Sequence, residues 1–249
     1  MNAVPVYTTE HFITSSDVDF ASKLRLSTMF GFFQDIASLH AANLGASVER
    51  LRADHGAAWI LMRARLEVDK YPMLHDKVTV QTWPQAPRAL YERDYAIKDE
   101  AGNTMVRAAS TWIIMKLETR EIIRGKLLDY FNIELNTDRA LEKRLGKLHP
   151  TEGAVPIYEK PIGYSDIDYN EHINNARYVE YVMDCISVPE HKAKAVRAIE
   201  VHYLNEAVPG ETIVLRRAEA EGPAGKSLYV DGIGKEGGTQ VFGSVIEFE

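Results

Sequence analysis

The chain has little cysteine: Cys185 is the single cysteine among 249 residues, so no disulfide can form within the chain. This composition suits a reducing compartment. The sequence also lacks a run of about 18 apolar residues, the length that a membrane-spanning helix needs. Its first residues, MNAVPVYTTEHF, contain neither the basic region nor the apolar stretch of a secretory signal. We therefore expect a protein without a membrane span that is located in the cytoplasm.

Positive charge is also scarce, with 29 Lys and Arg against 36 Asp and Glu and a formal net charge of −7. Nucleic acids and anionic membranes are bound by clustered cationic side chains, so we expect neither as a partner. One local basic cluster lies at residues 137–150, where Arg139, Lys143, Arg144 and Lys147 outnumber the acidic residues. A charge run of this kind predicts a short solvated helix.

Motifs for cofactors and metals are missing as well. The stretch GIGKEG (232–237) fits G-x-G-x-x-G, but the chain ends about a dozen residues later, too soon for the helix that a dinucleotide site requires. We interpret it as a hairpin turn. No G-x-S-x-G elbow and no H-E-x-x-H pair occurs. The sequence therefore predicts no cofactor and no metal.

The sequence does contain two halves with the same order of elements. In each half a helical pattern precedes four β-rich runs separated by turn residues. The first helix is expected over LSTMFGFFQDIASLHAANLG, with Ser27 or Thr28 as its cap and Gly45 at its end. The second is expected from about Asn174, with Tyr178, Tyr181, Val182 and Cys185 on one apolar face. Cys185 is accordingly predicted to be a core residue.

The halves are also related in sequence. SDVDF (16–20) matches SDIDY (165–169) at a separation of 149 positions, and DKVTV (76–80) matches ETIVL (211–215) at 135. The difference of 14 residues falls in the longer helical region of the first half. We predict an α+β protein made of a duplicated unit, each with a helix packed across its own antiparallel sheet. The expected units are 1–130 and 159–249, joined by a polar, helix-prone connector at 131–158.

The most unusual stretch is YSDIDYNEHINNARYVEY (164–181). If 168–172 is extended, the side chains of Asp168, Asn170 and His172 point to one side, because strand side chains alternate. Asn174 or Asn175 would then cap the following helix. The free N–H groups at a helix start suit a developing oxyanion.

The first half serves as an internal control for these residues. Its matching positions are Asp19, Ala21 and Lys23, so the aspartate is kept while the amide and the imidazole are not. A purely structural turn would need the same residues in both halves. The loss of only two of them suggests a reactive site that is confined to the second half.

This segment resembles the active-site segment of acyl-ACP thioesterases, which reads Ser-Asp-Leu-Asp-x-Asn-x-His-Val-Asn-Asn-x-x-Tyr in the plant plastid members. The likeness extends over nearly the whole chain and includes WILMRARLEVDKYPMLHDKVTVQTW in the first half. It implies a tandem (double) hotdog fold, hydrolysis of fatty-acyl thioesters in fatty acid biosynthesis, and acyl carrier protein (ACP) as the partner. It leaves a homodimer open.

The resemblance also singles out Glu206, which matches the family's catalytic glutamate. The family has a cysteine next, whereas this chain has Ala207, which leaves carboxylate chemistry as the implied mechanism. In the first half the corresponding position is Tyr71. The implied catalytic set is Asp168, Asn170, His172 and Glu206, acting on water, with Glu206 the first choice of base and Asp168 the second.

The family holds its acyl chain in the first unit. Met29, Phe30, Phe33 and Trp59 are therefore expected either in that pocket or simply in the core. Because carrier proteins are acidic, the basic cluster and Arg120, Arg124 and Lys126 are candidates for the docking face. An acyl-CoA thioesterase, a non-catalytic acyl-binding hotdog and a hotdog dehydratase are the alternatives. Acyl-chain length is not indicated by any motif.

Overall fold

A computed structural model describes residues 2–88, 90–123, 134–222 and 225–249, with the backbone alone at 221, 222, 225 and 226. The chain divides into two compact units. The first comprises Met1–Arg25, Gly31–Ala64 and Asp69–Leu145, and the second comprises Leu26–Phe30, Arg65–Val68 and Gly146–Glu249. None of the helices in the described ranges is both long and apolar enough to cross a membrane.

The first half of the chain forms two helices and six strands. In chain order these are β1 (Tyr7–Phe12), α1 (Leu26–Asn43), α2 (Val48–His55), β2 (Ala57–Val68), β3 (Lys77–Pro84), β4 (Tyr91–Lys98), β5 (Thr104–Lys116) and β6 (Ile122–Ile123). The strands are hydrogen-bonded in the order β1-β3-β4-β5-β2, and the short β6 pairs with β5. The β1–β3, β3–β4, β4–β5 and β5–β6 ladders are antiparallel.

The second half repeats this order. It contains β7 (Val155–Pro161), a 3-10 turn (Tyr164–Asp166), α3 (Asn175–Asp184), α4 (Val188–Ala193), β8 (Val196–Tyr203), β9 (Thr212–Gly222), β10 (Gly225–Gly234) and β11 (Gln240–Phe248). The strand order is β8-β11-β10-β9-β7, again with antiparallel ladders. The predicted α+β class and the four β-rich runs of each half are thus confirmed.

Three strands were not predicted: β1 and the two-residue β6 in the first half, and β7 in the second. β1 and β7 precede the helices and lie at the ends of the two strand orders. VPIYEKP in β7 contains two prolines, which are tolerated only at a sheet edge and which weaken the strand pattern.

The helix ends agree with the sequence in part. The predicted cap at Ser27 or Thr28 is wrong, since α1 begins at Leu26 after Arg25 and no side chain caps it. Gly45 does follow the helix with a φ of 76°, a conformation that favours glycine. Asn174 caps α3 as predicted, because its side chain accepts a hydrogen bond from the N–H of Ala176.

The predicted helix in the basic cluster is wrong. Between residues 134 and 154 the described chain contains no helix. The carbonyl of Asp138 accepts hydrogen bonds from the side chains of Trp83 and Gln85, both at 2.8 Å. Arg139 pairs with Glu92 at 2.5 Å. These contacts hold the segment in an irregular path. Residues 131–133, Arg124 and Lys126 lie outside the described residues, and the proposed boundaries at 130 and 159 stay a prediction.

Each sheet is covered by its own helix. In the first unit, the ring of Phe33 on α1 lies 4.8 Å from that of Tyr95 on β4. In the second, the ring of Tyr178 on α3 packs against those of Tyr203 and Phe242 at 5.6 and 5.3 Å. Aromatic pairs at these distances add to the free energy gained by burying apolar surface.

The four residues that were expected in an acyl pocket or the core have definite places. Met29, Phe30 and Phe33 on α1 are buried. Trp59 on β2 is half-buried, and its indole N–H donates to the carbonyl of Ala46 at 3.0 Å. Their role in binding an acyl chain stays a prediction.

Matching hydrogen bonds show that the two halves are structural repeats. They connect residues that correspond at separations of 149 and 135 positions. In the first half Ile13 N–H donates to Asp76, and His75 N–H donates to Ile13. The second half has the same pair of bonds, from Ile162 to Glu211 and from Gly210 to Ile162. The residues before and after each helix therefore meet in the same way in both units.

Candidate active site

The segment 162–174, which we call the site turn, folds back on itself. The N–H of Asp168 donates to the carbonyl of His172 at 2.8 Å, and Asp168 Oδ1 accepts from the N–H of Asn170 at 2.8 Å. Glu171 has a φ of 64°. The predicted extended conformation of 168–172 is therefore wrong, because the aspartate side chain stabilises a tight turn. Asp168 and His172 instead lie opposite each other across that turn.

The corresponding turn of the first half has the same backbone. Asp19 Oδ1 accepts from the N–H groups of Ala21 and Lys23 at 2.8 and 3.0 Å. The N–H of Asp19 donates to the carbonyl of Lys23 at 2.9 Å, and Ser22 has a φ of 59°. The aspartate thus has a structural task in both halves. Asn170 and His172 are additions to a frame that folds without them.

The polar side chains of the site turn differ in exposure. Asp168 and Asn170 are half-buried, while His172 is exposed. Three of the four predicted catalytic residues thus lie on one short turn, within residues 168–172. The imidazole of His172 is accessible to a ligand from solution.

Glu206 lies in the loop after β8, residues 204–211, which we call the strand-end loop. The N–H groups of Leu204 and Asn205 both donate to the carbonyl of Val241, at 2.9 and 3.0 Å, and fix the start of this loop. Its end is bonded to Ile162, which donates to the carbonyl of Glu211 at 2.9 Å. The loop that carries Glu206 is thus held beside the site turn. Glu206 itself is exposed.

A buried tyrosine of α3 lies near Glu206. Burial raises the pKa of Tyr178 above its ordinary value, and the negative charge of Glu206 raises it further. Tyr178 therefore stays neutral at physiological pH, with its phenol close enough to sense the carboxylate. Tyr203 on β8 packs on Tyr178 and donates to the carbonyl of Asn175 at 3.2 Å. Sequence reasoning missed Tyr203, although its repeat position in the first half, Val68, has no hydroxyl.

The first amides of α3 are largely occupied. Asn174 Oδ1 accepts from the N–H of Ala176 at 2.9 Å, and the carbonyl of Asn174 accepts from Arg177 at 2.8 Å. An oxyanion could use these two donors only by displacing Asn174.

The first half indicates how the two parts of the site face each other. Lys23 and Tyr71 occupy the repeat positions of His172 and Glu206. The ammonium of Lys23 lies over the ring of Tyr71, 5.0 Å from its centroid. Because the repeat places these two positions side by side, we expect His172 and Glu206 to be neighbours as well.

Comparison with known proteins identifies the family of the chain. Residues 5–126 match the acyl-ACP thioesterase N-terminal domain, and residues 156–239 match the acyl-ACP thioesterase C-terminal domain. The chain therefore belongs to the acyl-ACP thioesterase family, as its motif indicated.

Individual relatives are more distant. The chain is 29% identical over 159 residues to a chloroplastic palmitoyl-acyl carrier protein thioesterase of Arabidopsis thaliana, a match that covers 59% of this chain and 38% of the relative. It is 27% identical over 220 residues to the chloroplastic oleoyl-acyl carrier protein thioesterase 2 of the same plant, covering 80% and 59%. The match thus spans less than two thirds of the length of each of these relatives.

A solved structure is similar over its full length. The crystal structure of an acyl-ACP thioesterase from Bacteroides thetaiotaomicron superposes with a TM-score of 0.87 at 25% identity and covers 98% of both chains. The tandem hotdog fold predicted from the sequence is confirmed by this likeness.

Proposed function

We propose that the protein is a thioester hydrolase that releases free fatty acids from acyl-ACP in fatty acid biosynthesis. The family match in both halves and the names of the relatives support this activity. The observation that carries the proposal is the difference between the two turns. Asn170 and His172 stand on a backbone that the first half forms with alanine and lysine instead, and Glu206 stands at the repeat position of a tyrosine, Tyr71.

In the proposed mechanism water is the nucleophile. Glu206 removes a proton as the water oxygen attacks the thioester carbon, and the carbonyl π electrons move to oxygen. The intermediate then collapses, the C–S bond breaks, and the thiolate takes the proton back from Glu206. His172 positions and polarises the water or the carboxylate, and the side-chain amide of Asn170 orients the carbonyl.

Asp168 stays the second choice of base. Its Oδ1 already accepts the N–H of Asn170, as Asp19 does in the first half. A carboxylate that accepts a hydrogen bond from the turn holds that turn in place, and a change in its protonation would weaken this bond. We therefore assign Asp168 to positioning Asn170 and His172, and we keep Glu206 as the base.

The acyl chain is proposed to bind to the first half of the chain, where Met29, Phe30 and Phe33 on α1 and Trp59 on β2 are the candidate contacts. On the docking face, Arg139 pairs with Glu92 at 2.5 Å and Arg144 lies 3.8 Å from the same carboxylate. The exposed Lys143 and Lys147 are therefore the better candidates for contact with an acidic carrier protein. A cytoplasmic location and a homodimer stay predictions.

The test is a panel of acyl-ACPs of different chain lengths, with the matching acyl-CoAs, and detection of both the free fatty acid and the free thiol. We expect acyl-ACP to be hydrolysed much faster than acyl-CoA of the same length. The opposite preference would favour an acyl-CoA thioesterase. Binding without release of thiol would indicate an acyl-binding protein, and dehydration of 3-hydroxyacyl substrates would indicate a dehydratase.

A further inference from the structure

In the first unit the turn at residues 13–25 and the loop at residues 69–76, which correspond to the site turn and the strand-end loop, are joined directly. The N–H of Leu24 donates to the carbonyl of Pro72 at 2.8 Å, and the N–H of Leu74 donates to Ser22 at 2.9 Å. Between these two bonds Lys23 and Met73 form an antiparallel bridge. The two segments are therefore closed against each other.

The second unit cannot form one of these bonds. Leu74 is replaced at its repeat position by Pro209, which has no N–H to donate. The other bond, from Leu24 to Pro72, would become a bond from Ile173 to Ala207. Among the residues that the structure describes, no backbone carbonyl accepts from the N–H of Ile173. The pair is open.

Each member of the open pair directly follows a predicted catalytic residue in the sequence. His172 directly precedes Ile173, and Glu206 directly precedes Ala207. Ile173 and Ala207 are themselves only 5% and 2% exposed. A buried backbone donor without a protein partner costs about 1–3 kcal/mol and is rare in folded proteins. Such a donor is typical of a place where a ligand supplies the acceptor.

We propose that the N–H of Ile173 binds the carbonyl oxygen of the thioester and stabilises its oxyanion, in the gap that Pro209 keeps open. This inference rests on the proposed function. As water adds to the carbonyl carbon and Glu206 takes its proton, the oxygen gains negative charge beside a donor that the fold holds in place. When the intermediate collapses, the oxygen lone pair re-forms the C=O bond, and the electrons of the C–S bond leave on the thiolate, which takes the proton from Glu206. A preorganised donor of this kind acts on the transition state more than on the substrate.

The direct test replaces the amide between His172 and Ile173 by an ester, through incorporation of the α-hydroxy analogue of isoleucine. The change removes the N–H and keeps the side chain. We expect kcat for acyl-ACP hydrolysis to fall about 10²–10³-fold, as for other oxyanion donors. The matched control is the same replacement at Leu24, which removes the bond to Pro72 in the first unit. It is expected to lower stability and to leave kcat unchanged. A kcat within twofold of wild type for the Ile173 ester would overturn the inference.

A binding measurement separates this inference from the proposed function. The probe is an acyl trifluoromethyl ketone carried on a pantetheine thioether, which adds a nucleophile to give a tetrahedral oxyanion. We expect the Ile173 ester to bind it about 10²–10³-fold more weakly than wild type, in the same proportion as kcat falls. If the wild type hydrolyses acyl-ACP but both chains bind the probe equally, only the assignment of Ile173 fails. If the wild type binds the probe without hydrolysing any thioester, the proposed function fails, and the affinity difference still decides whether Ile173 is the donor.

A second variant uses ordinary mutagenesis. Pro209→Leu restores the donor that closes the loops in the first unit, at an exposed position that tolerates the change. We expect the new N–H to bond to Glu171, to draw Ala207 onto Ile173 and to lower kcat at least tenfold while raising the melting temperature. Val208→Met is the control. It introduces the residue that the first unit has at this repeat position, Met73, and adds no backbone N–H. Unchanged kcat in a folded Pro209→Leu variant would contradict the gap as the site of the carbonyl.

Discussion

The turns at 16–25 and 165–174 have the same backbone and different chemistry. In both, an aspartate accepts the N–H of the residue two positions later and bonds to the carbonyl four positions later. One turn then carries Ala21 and Lys23, and the other Asn170 and His172. The difference teaches that the aspartate belongs to the frame, whereas the amide, the imidazole and Glu206 are additions of one half. Folding and activity can therefore be perturbed separately.

The largest expected effect comes from removing these additions. Glu206→Ala and His172→Ala are each expected to lower kcat/KM about 10²–10⁴-fold, since a general base or its partner is lost. Steady-state rates with acyl-ACP measure the effect. The matched variants Tyr71→Ala and Lys23→Ala change the same positions of the first half and should retain activity. Near-normal turnover in either second-half variant would remove that residue from the mechanism.

A pH effect on stability is expected from His40 in the first half. Burial, and then the charge of Arg93, lower the pKa of His40 to about 4. Its Nε2 donates to the carbonyl of Val4 at 2.8 Å and its Nδ1 accepts from Arg93. The unfolded chain takes up this proton near pH 6.5 and the folded chain near pH 4, so stability falls as the pH drops through that window. The loss amounts to up to about 3 kcal/mol.

His40→Gln checks this expectation, because glutamine can keep a hydrogen bond to Val4 but does not titrate. Denaturant unfolding at several pH values gives the free energy of unfolding of both chains. The wild type should lose stability more steeply than the variant between pH 6.5 and pH 4. Parallel curves would show that His40 does not titrate on unfolding.

Substitution of Asp19 and Asp168 tests whether the two turns depend on the same aspartate hydrogen bonds. Asp19→Ala and Asp168→Ala should each destabilise the protein by about 1–2 kcal/mol, the cost of hydrogen bonds to a charged acceptor. Only Asp168→Ala should also lower kcat, because Asn170 and His172 lose their positions. Equal losses of activity in the two variants would show that the halves do not divide the work as proposed.

The smallest effect is expected for the contact between Lys23 and Tyr71, which occupy the repeat positions of His172 and Glu206 in the first half. Lys23→Met removes the cation over Tyr71 and keeps most of the apolar chain. We expect a loss of about 0.5–1 kcal/mol in the free energy of unfolding, the lower part of the range for cation–π contacts, since Lys23 and Tyr71 are only half-buried. The rate should not change. A larger loss would mean that Lys23 also secures the bridge to Met73.

The sequence predicted the repeat, the β-rich runs and the α3 helix because each has a local signal. Periodic apolar residues mark the helices, and Gly and Asn mark their ends. The prediction failed where tertiary contacts decide. The connector is helix-prone in isolation, yet Trp83, Gln85 and Glu92 bind its residues in an irregular path. The positive φ of Glu171 could not be read from an acidic residue that rarely adopts it.

For the candidate site, residue types were predictable and geometry was not. Comparing the halves identified Asn170 and His172 without coordinates. The resemblance added Glu206. The open pair between Ile173 and Ala207 depends on backbone bonds that have no side-chain signature. The one available signal was Pro209 opposite Leu74, which becomes meaningful only when the bonds of the first unit are known.

The turn held by Asp19 has a consequence for protein engineering. This turn already has the backbone conformation of the turn in the second half. A chain with two active sites could therefore be built by substituting side chains alone. Ala21→Asn, Lys23→His and Tyr71→Glu would introduce the polar groups. Leu74→Pro would remove the hydrogen bond from the N–H of Leu74 to Ser22. The variant would be tested in a chain in which the site of the second half has been inactivated. Hydrolysis by that chain would show that four substitutions are enough to give the first half an active site.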